Sequence, residues 1–166
     1  FKYAMEGLDG GRLNIAACSL GAAAQALKLA MTYMGERKAF GQTLDQFQAL
    51  QFKLAEMETT LSAARVFLRQ AAWKLDNNEP DATKYCAMAK MFVTDKCFDI
   101  ANDALPMLGG YGYLADYGIE KLVRDMRAHP ILEGDNQPLP DDIRRNMVIA
   151  LCTARPHLLH NNQGPP

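Results

Sequence analysis

Leucine, alanine and methionine recur at helical spacing along most of the chain, and runs of β-branched residues are scarce. Leu13, Ala16, Ala17, Leu20, Ala23, Ala24, Leu27 and Met34 fall on one face of a helix running from about Gly11 to Glu36. So much alanine on one face predicts a neighbouring helix at close range. A break follows, Gly35-Glu36-Arg37-Lys38-Ala39-Phe40-Gly41-Gln42, which reads as a loop or a frayed helix end. The clearest pattern comes next. Leu50, Leu54, Met57, Leu61, Ala64, Leu68, Ala71 and Leu75 alternate by four and three residues, a continuous seam for packing against other long helices.

Asp76-Asn77-Asn78-Glu79-Pro80-Asp81 stops that helix and starts another, with Asn and Asp as candidate caps and Pro near the first turn. The third seam runs Ala82, Tyr85, Ala89, Phe92 or Val93, Cys97, Ile100 and Ala104, ending at Pro106 and Gly109-Gly110-Tyr111-Gly112-Tyr113. Asp116 is the expected cap of a shorter helix carrying Ile119, Leu122, Val123 and Met126. His129 to Gly134 reads as a turn, and residues 141–151 as a last short helix. From Pro138 onward proline becomes frequent, so 138–166 is expected to be a diverged tail, with its last dozen residues disordered. The pattern predicts an all-α domain over 1–137: an up-down four-helix bundle with short extra helices.

The 166 residues suit one domain, and at 49% hydrophobic the chain buries a core without disulfides or metal. Eighteen basic against nineteen acidic side chains leave a net charge of −1, which argues against nucleic acid or an anionic membrane as partner. The longest uncharged stretch, Leu13 to Leu27, falls short of the ~20 residues that a membrane span requires. Cys18, Cys86, Cys97 and Cys152 show neither CxxC nor zinc-like spacing and read as small buried thiols. His157 and His160 have no third ligand nearby, so no metal is expected. The chain opens Phe-Lys-Tyr without an initiating Met, the expected start of a piece of something longer. No glycine-rich phosphate loop or βαβ pattern occurs, so any nucleotide would bind through loops and helix ends.

Four places depart from what packing alone would choose. Arg37 and Phe40, released by Gly41, could hold a phosphate and cover a ring, or could be a solvated charge cluster with one anchoring aromatic. Gly109-Gly110-Tyr111-Gly112 could admit a ligand, or form a tight interhelical turn. Glu133, after two aliphatics and before Gly134, could point into an apolar cavity as a general base, or stand exposed in a turn. Arg12 follows Gly10 and Gly11 at an expected helix start, where surface charge is the default reading.

In this order the segments resemble the C-terminal helical domain of the acyl-CoA dehydrogenases. The matching stretches are Gly7 to Gly21, Glu36 to Gly41, Leu108 to Tyr113, Val123 to Arg127 and Ile131 to Gly134. GGRLNIAACSLGAA is most similar to the isobutyryl-CoA and short branched-chain members. The resemblance implies an FAD-dependent oxidoreductase that desaturates a short or branched acyl-CoA between its α and β carbons. It implies Glu133 as the base for the α-proton. An ordinary glutamate, at about 4.3, is too weak a base for neutral pH, so that role implies an apolar surround. Relatives that carry the base on the first helix match here at Gly11. The resemblance further implies FAD contacts from Arg37, Phe40, Phe47, Gln48, Gly109, Gly110, Asp135 and Gln137, and a substrate contact from Arg12. A flavin shared across subunits, a homodimer or homotetramer, and an electron-transferring flavoprotein as acceptor follow from it. So does a location in the cytoplasm of a bacterium or the mitochondrial matrix of a eukaryote.

Three departures stand out. Pro106 replaces a common flavin-contacting glutamine and has no N–H. Asp135 puts a negative charge where Thr or Ser is usual. The usual closing helix is not recognisable after Pro138, although Arg145 falls near the spacing of a substrate-contacting arginine. The family's N-terminal and middle domains are also missing, so the chain alone is expected to be inactive. A truncated, non-catalytic helical oligomerisation module is the rival reading.

Overall fold

A computed structural model describes residues 2–136, with side chains from residue 7 onward. Gln137, Arg145, Cys152, His157, His160 and the helix expected over 141–151 lie outside the described residues. Three long helices, α1 (Lys2–Glu36), α2 (Gln48–Asp76) and α3 (Ala82–Met107), are followed by the short α4 (Ile119–Met126). The expected all-α architecture is what forms. α3 lies against both α1 and α2, and α4 closes over α3 and one side of α1.

The seams are the core. Met57, Leu61, Ala64, Leu68 and Ala71 of α2 are buried. Ala16, Ala23, Ala26, Ala30 and Met34 of α1 are completely so. Zero-exposure alanines let α1 approach its neighbours closely. By length and composition Gly7–Glu36 would also suit a membrane span; here its alanine face forms the middle of a packed bundle. Ala17 is a correction: it lies on the exposed side of α1, whereas Ser19 is fully buried. α3 is buried on two sides and takes in Cys86, Ala87, Lys90, Thr94 and Ala101 as well as the predicted positions other than Tyr85, which is half-buried.

Several boundaries differ from the sequence reading. α1 starts at Lys2 and runs through Gly7, Gly10 and Gly11, so Gly10 and Gly11 do not mark a helix start. Each helical glycine costs about 1 kcal/mol relative to alanine, and only Gly11 of the three faces a neighbour. The break after α1 is a tight hairpin. Strands β1 (Lys38–Ala39) and β2 (Gln42–Thr43) pair antiparallel, with Lys38 opposite Thr43. Phe40 and Gly41 both have positive φ, 52° and 84°, as a type I′ turn requires.

α3 passes through Pro106 and stops at Met107. The donor that proline lacks would have met the carbonyl of Asn102, on the exposed side of the last turns where water can replace it. Gly109–Tyr113 then forms a 3₁₀ helix rather than a simple turn. Gly112 is required there, because a Cβ would run into the backbone carbonyl of Leu105. Asp81 and Asp116 are not side-chain caps. Asp81 accepts from Lys74 Nζ at 2.7 Å, and Asp116 lies in the 3₁₀ turn Ala115–Tyr117 before Gly118 opens α4. Cys86 and Cys97 are buried as expected, but Cys18 is exposed. Burial pushes the Cys86 thiol up to about 11 and Cys97 to about 12.

Candidate active site

The predicted site residues fall into two groups at opposite ends of α1. Arg12 and Glu133 lie near its start; Arg37, Phe40, Phe47, Gln48, Gly109 and Gly110 gather near its end. At 1.5 Å per residue the helix between Arg12 and Glu36 is about 36 Å long. One chain therefore does not bring the two groups together.

The first group centres on the loop after α4. Glu133 has φ 56°, an unfavourable conformation for a side chain with a Cβ, and Gly134 follows at φ 94°. The Glu133 carboxylate lies where a side chain on Gly11 would stand, with Cδ 2.6 Å from an ideal Cβ there. Glu133 itself is exposed in this chain, so the apolar surround expected for a base is not built by these residues. Any such surround must come from outside the described chain.

The loop is fastened from two helices. Lys90 of α3 is fully buried and donates from Nζ to Pro130 O at 2.8 Å, Gly134 O at 2.6 Å and Asn136 Oδ1 at 2.8 Å. Asn136 is turned by its other contacts: Nδ2 donates to Asp95 Oδ1 at 2.7 Å and Thr94 Oγ1 at 2.9 Å. The Asn136 N–H also closes the loop onto Pro130 O. Burial lowers the Lys90 ammonium to about 8, with Asp95 and Asp135 opposing the shift. On the α1 side, Ser19 Oγ donates to Ile15 O at 2.9 Å and so accepts from His129 Nδ1 at 2.8 Å. That fixes the hydrogen of neutral His129 on Nδ1, and burial holds the ring below its ordinary pKa.

Arg12 is not the surface charge its position suggested. It is 5% exposed and bonds Asp9 Oδ1 at 3.2 Å, while Thr83 of α3 donates to Asp9 Oδ2 at 2.6 Å. Its Nε is buried without a partner among the described residues. Sequence reasoning missed Asp9, Lys90, Asn136 and the Ser19–His129 pair. Lys90 had a readable signal. It falls on the seam Cys86, Lys90, Val93, Cys97, Ile100 and Ala104, where a charge needs a partner.

Of the second group, Arg37, Gly109 and Gly110 line an open cleft of about 490 Å³, and Phe40, Phe47 and Gln48 stand outside its lining. Leu44, Leu50, Met107 and Leu108 give it apolar walls, and Pro106, Gly109 and Gly110 form one edge. The Arg37 guanidinium stands 5.8 Å from the centre of the Tyr111 ring. No carboxylate pairs with it among the described residues. Phe40, 97% exposed, sets its ring edge-on to Phe47 at 6.4 Å, just before Gln48 begins α2. Arg37 and Phe40 are both exposed, and each has an aromatic neighbour, Tyr111 for Arg37 and Phe47 for Phe40. Asp135 belongs to the other group, beside Lys90.

A helical bundle with a strained, tied-down carboxylate toward one end and an arginine-edged cleft toward the other defines the class of this α domain. The model of the acyl-CoA dehydrogenase C-terminal domain matches residues 1–148, and the chain belongs to that family. It is 50% identical over 148 residues to the mitochondrial isobutyryl-CoA dehydrogenase of Bos taurus, covering 89% of this chain and 36% of that protein. The corresponding Dictyostelium discoideum protein is 51% identical over 136 residues, 82% of this chain and 33% of its own. The solved butyryl-CoA dehydrogenase of Megasphaera elsdenii superposes with a TM-score of 0.86 at 36% identity, over 89% of this chain and 38% of that one. The chain thus spans about a third of the length of these relatives.

Members of this family depend on FAD. The second cleft fits part of such a group: an unpaired guanidinium for a phosphate, apolar walls for a ring, and glycines that let either approach. It is open on one side, so it has room for an edge of such a group and does not enclose a whole one.

Proposed function

We propose that this chain is the C-terminal domain of an FAD-dependent acyl-CoA dehydrogenase acting on a short or branched acyl-CoA, with isobutyryl-CoA the best candidate. Glu133 takes the α-proton. When bound, FAD supplies the acceptor for the hydride that leaves the β-carbon. Arg12 lines the acyl side. Arg37, Phe40, Phe47, Gln48, Gly109 and Gly110 hold FAD seated mainly on a second copy. Asp135 and Gln137 contact FAD next to the base. Electrons then leave to an electron-transferring flavoprotein. The working enzyme is a homodimer or homotetramer, mitochondrial if eukaryotic and cytoplasmic if bacterial.

The observation that carries this reading is the treatment of Glu133: a backbone held in the left-handed region, a loop bonded to α3, and a carboxylate set in a gap on α1. Backbone strain of this kind costs about 1–3 kcal/mol and persists where surrounding structure enforces it. A mere oligomerisation module would have no use for it. The length of α1 supports sharing of the flavin, since groups about 36 Å apart serve different cofactors.

The test is Glu133→Gln in the longer polypeptide that this reading implies. Flavin absorbance should be retained, and anaerobic bleaching by isobutyryl-CoA should be lost. Bleaching at the wild-type rate would end the assignment.

A further inference from the structure

We propose that Lys90 is a positioning residue for the reaction, holding Glu133 in register from beneath; the proposal rests on Glu133 being the base. Its Nζ reaches carbonyls on both sides of Glu133, those of Pro130 and Gly134, and the amide oxygen of Asn136. An ammonium has three hydrogens, and all three are used. No other side chain donates to a backbone carbonyl of residues 130–136 among the described contacts. The loop has no regular secondary structure, so its shape follows from where these acceptors are held.

Stability alone gives little reason for this arrangement. A fully buried lysine in an alanine-rich helix is costly unless paired, and apolar replacements of buried ions are often neutral. Here the charge is aimed at oxygens of one short loop and, among the described residues, at no carboxylate within bonding distance. Asp95 reaches it through Asn136. The ammonium therefore fixes backbone rather than neutralising a charge. A loop free to relax from φ 56° at Glu133 would move the carboxylate away from the gap at Gly11. Misplacement of a reacting group by about 1 Å costs on the order of 100-fold in rate.

The experiment uses the full-length, FAD-loaded enzyme and follows flavin reduction by isobutyryl-CoA under anaerobic stopped flow. Lys90→Met should retain FAD and be reduced by dithionite normally, but be reduced by substrate about 10- to 100-fold more slowly. Its substrate-binding constant should change far less. A merely structural role would lower thermal stability and leave the reduction rate per bound flavin intact; that result overturns the proposal. If Lys90→Met does not fold, Asn136→Ala decides. It removes one of the three acceptors and leaves the ammonium in place. Slower reduction at full flavin content supports the proposal, and an unchanged rate overturns it. Glu133→Gln is run beside them. Normal reduction in that variant removes the base itself, and the proposal with it. A dead Glu133→Gln beside a normal Lys90→Met removes only the positioning role.

Discussion

The carboxylate of Glu133 fills the space that a side chain on Gly11 would need, with Cδ only 2.6 Å from where that Cβ would be. The two residues are far apart in sequence and belong to different elements. Alanine at position 11 would displace the free end of an exposed side chain, which moves cheaply. Gly11→Ala should then leave the fold intact and gain up to about 1 kcal/mol of helix propensity. The Glu133 carboxylate should swing outward, slowing substrate-driven flavin reduction at least about tenfold. Urea melts and stopped-flow reduction on the same variant check both halves. A variant that is as fast as its parent would show that the contact has no functional weight.

The glycines of the Gly109–Tyr113 segment separate by the same reasoning. A Cβ on Gly112 would meet the carbonyl of Leu105, which is backbone and cannot yield, whereas one on Gly110 meets nothing within 4 Å. Gly112→Ala should cost about 2 kcal/mol or more. Gly110→Ala should be neutral in stability. Denaturant unfolding of the two variants measures the contrast, and a FAD titration of Gly110→Ala then reports cofactor contact without a folding defect.

Lys90 gives a pH dependence of defined sign. Burial lowers its ammonium to about 8 from 10.5; Asp95, Asp135 and Glu133 resist the shift, and Arg12 adds to it. Between those values the unfolded chain keeps a proton that the folded chain has released. Stability from this residue therefore rises with pH across that window, and the burial penalty is complete below about 8. Unfolding free energies of the parent and Lys90→Met, compared at pH 7 and pH 10, should diverge in the parent's favour by up to about 2 kcal/mol. Turnover should move the other way, because a neutral amine has two hydrogens for three acceptors.

Thiol chemistry offers a simple check of burial. Cys18 is exposed, while Cys86 and Cys97 are buried with thiols raised to about 11 and about 12. Iodoacetamide at pH 8 should label Cys18 in the native chain and spare the other two until denaturant is added. Peptide mapping distinguishes the sites, and early labelling of Cys97 would contradict the α3 packing.

The long seams were legible because four-and-three spacing survives in any context. Leu61, Ala64, Leu68 and Ala71 are buried where the pattern put them. The start of α1 was not legible, since Gly7, Gly10 and Gly11 resemble a helix end until Glu133 is seen against Gly11. The hairpin escaped notice because its turn uses phenylalanine at positive φ, where Asn or Asp is usual. Glu133 and Arg12 were identified as site candidates, but not Arg12's burial, because its partners Asp9 and Thr83 depend on how α1 meets α3. Lys90 lies on a seam, but the periodicity alone does not single it out. Its meaning depends on carbonyls forty and more residues away, which no local pattern carries.

The ring of Phe40, 97% exposed at the hairpin tip, has a consequence for handling the chain by itself. Tyr113 at 82% and Tyr111 at 42% also present aromatic surface to water. Against this, a net charge of −1 and a pI near 6.3 provide almost no long-range repulsion between molecules. Colloidal lifetime, rather than unfolding, should limit how concentrated the isolated domain can be kept, and the limit should be most severe just below neutral pH.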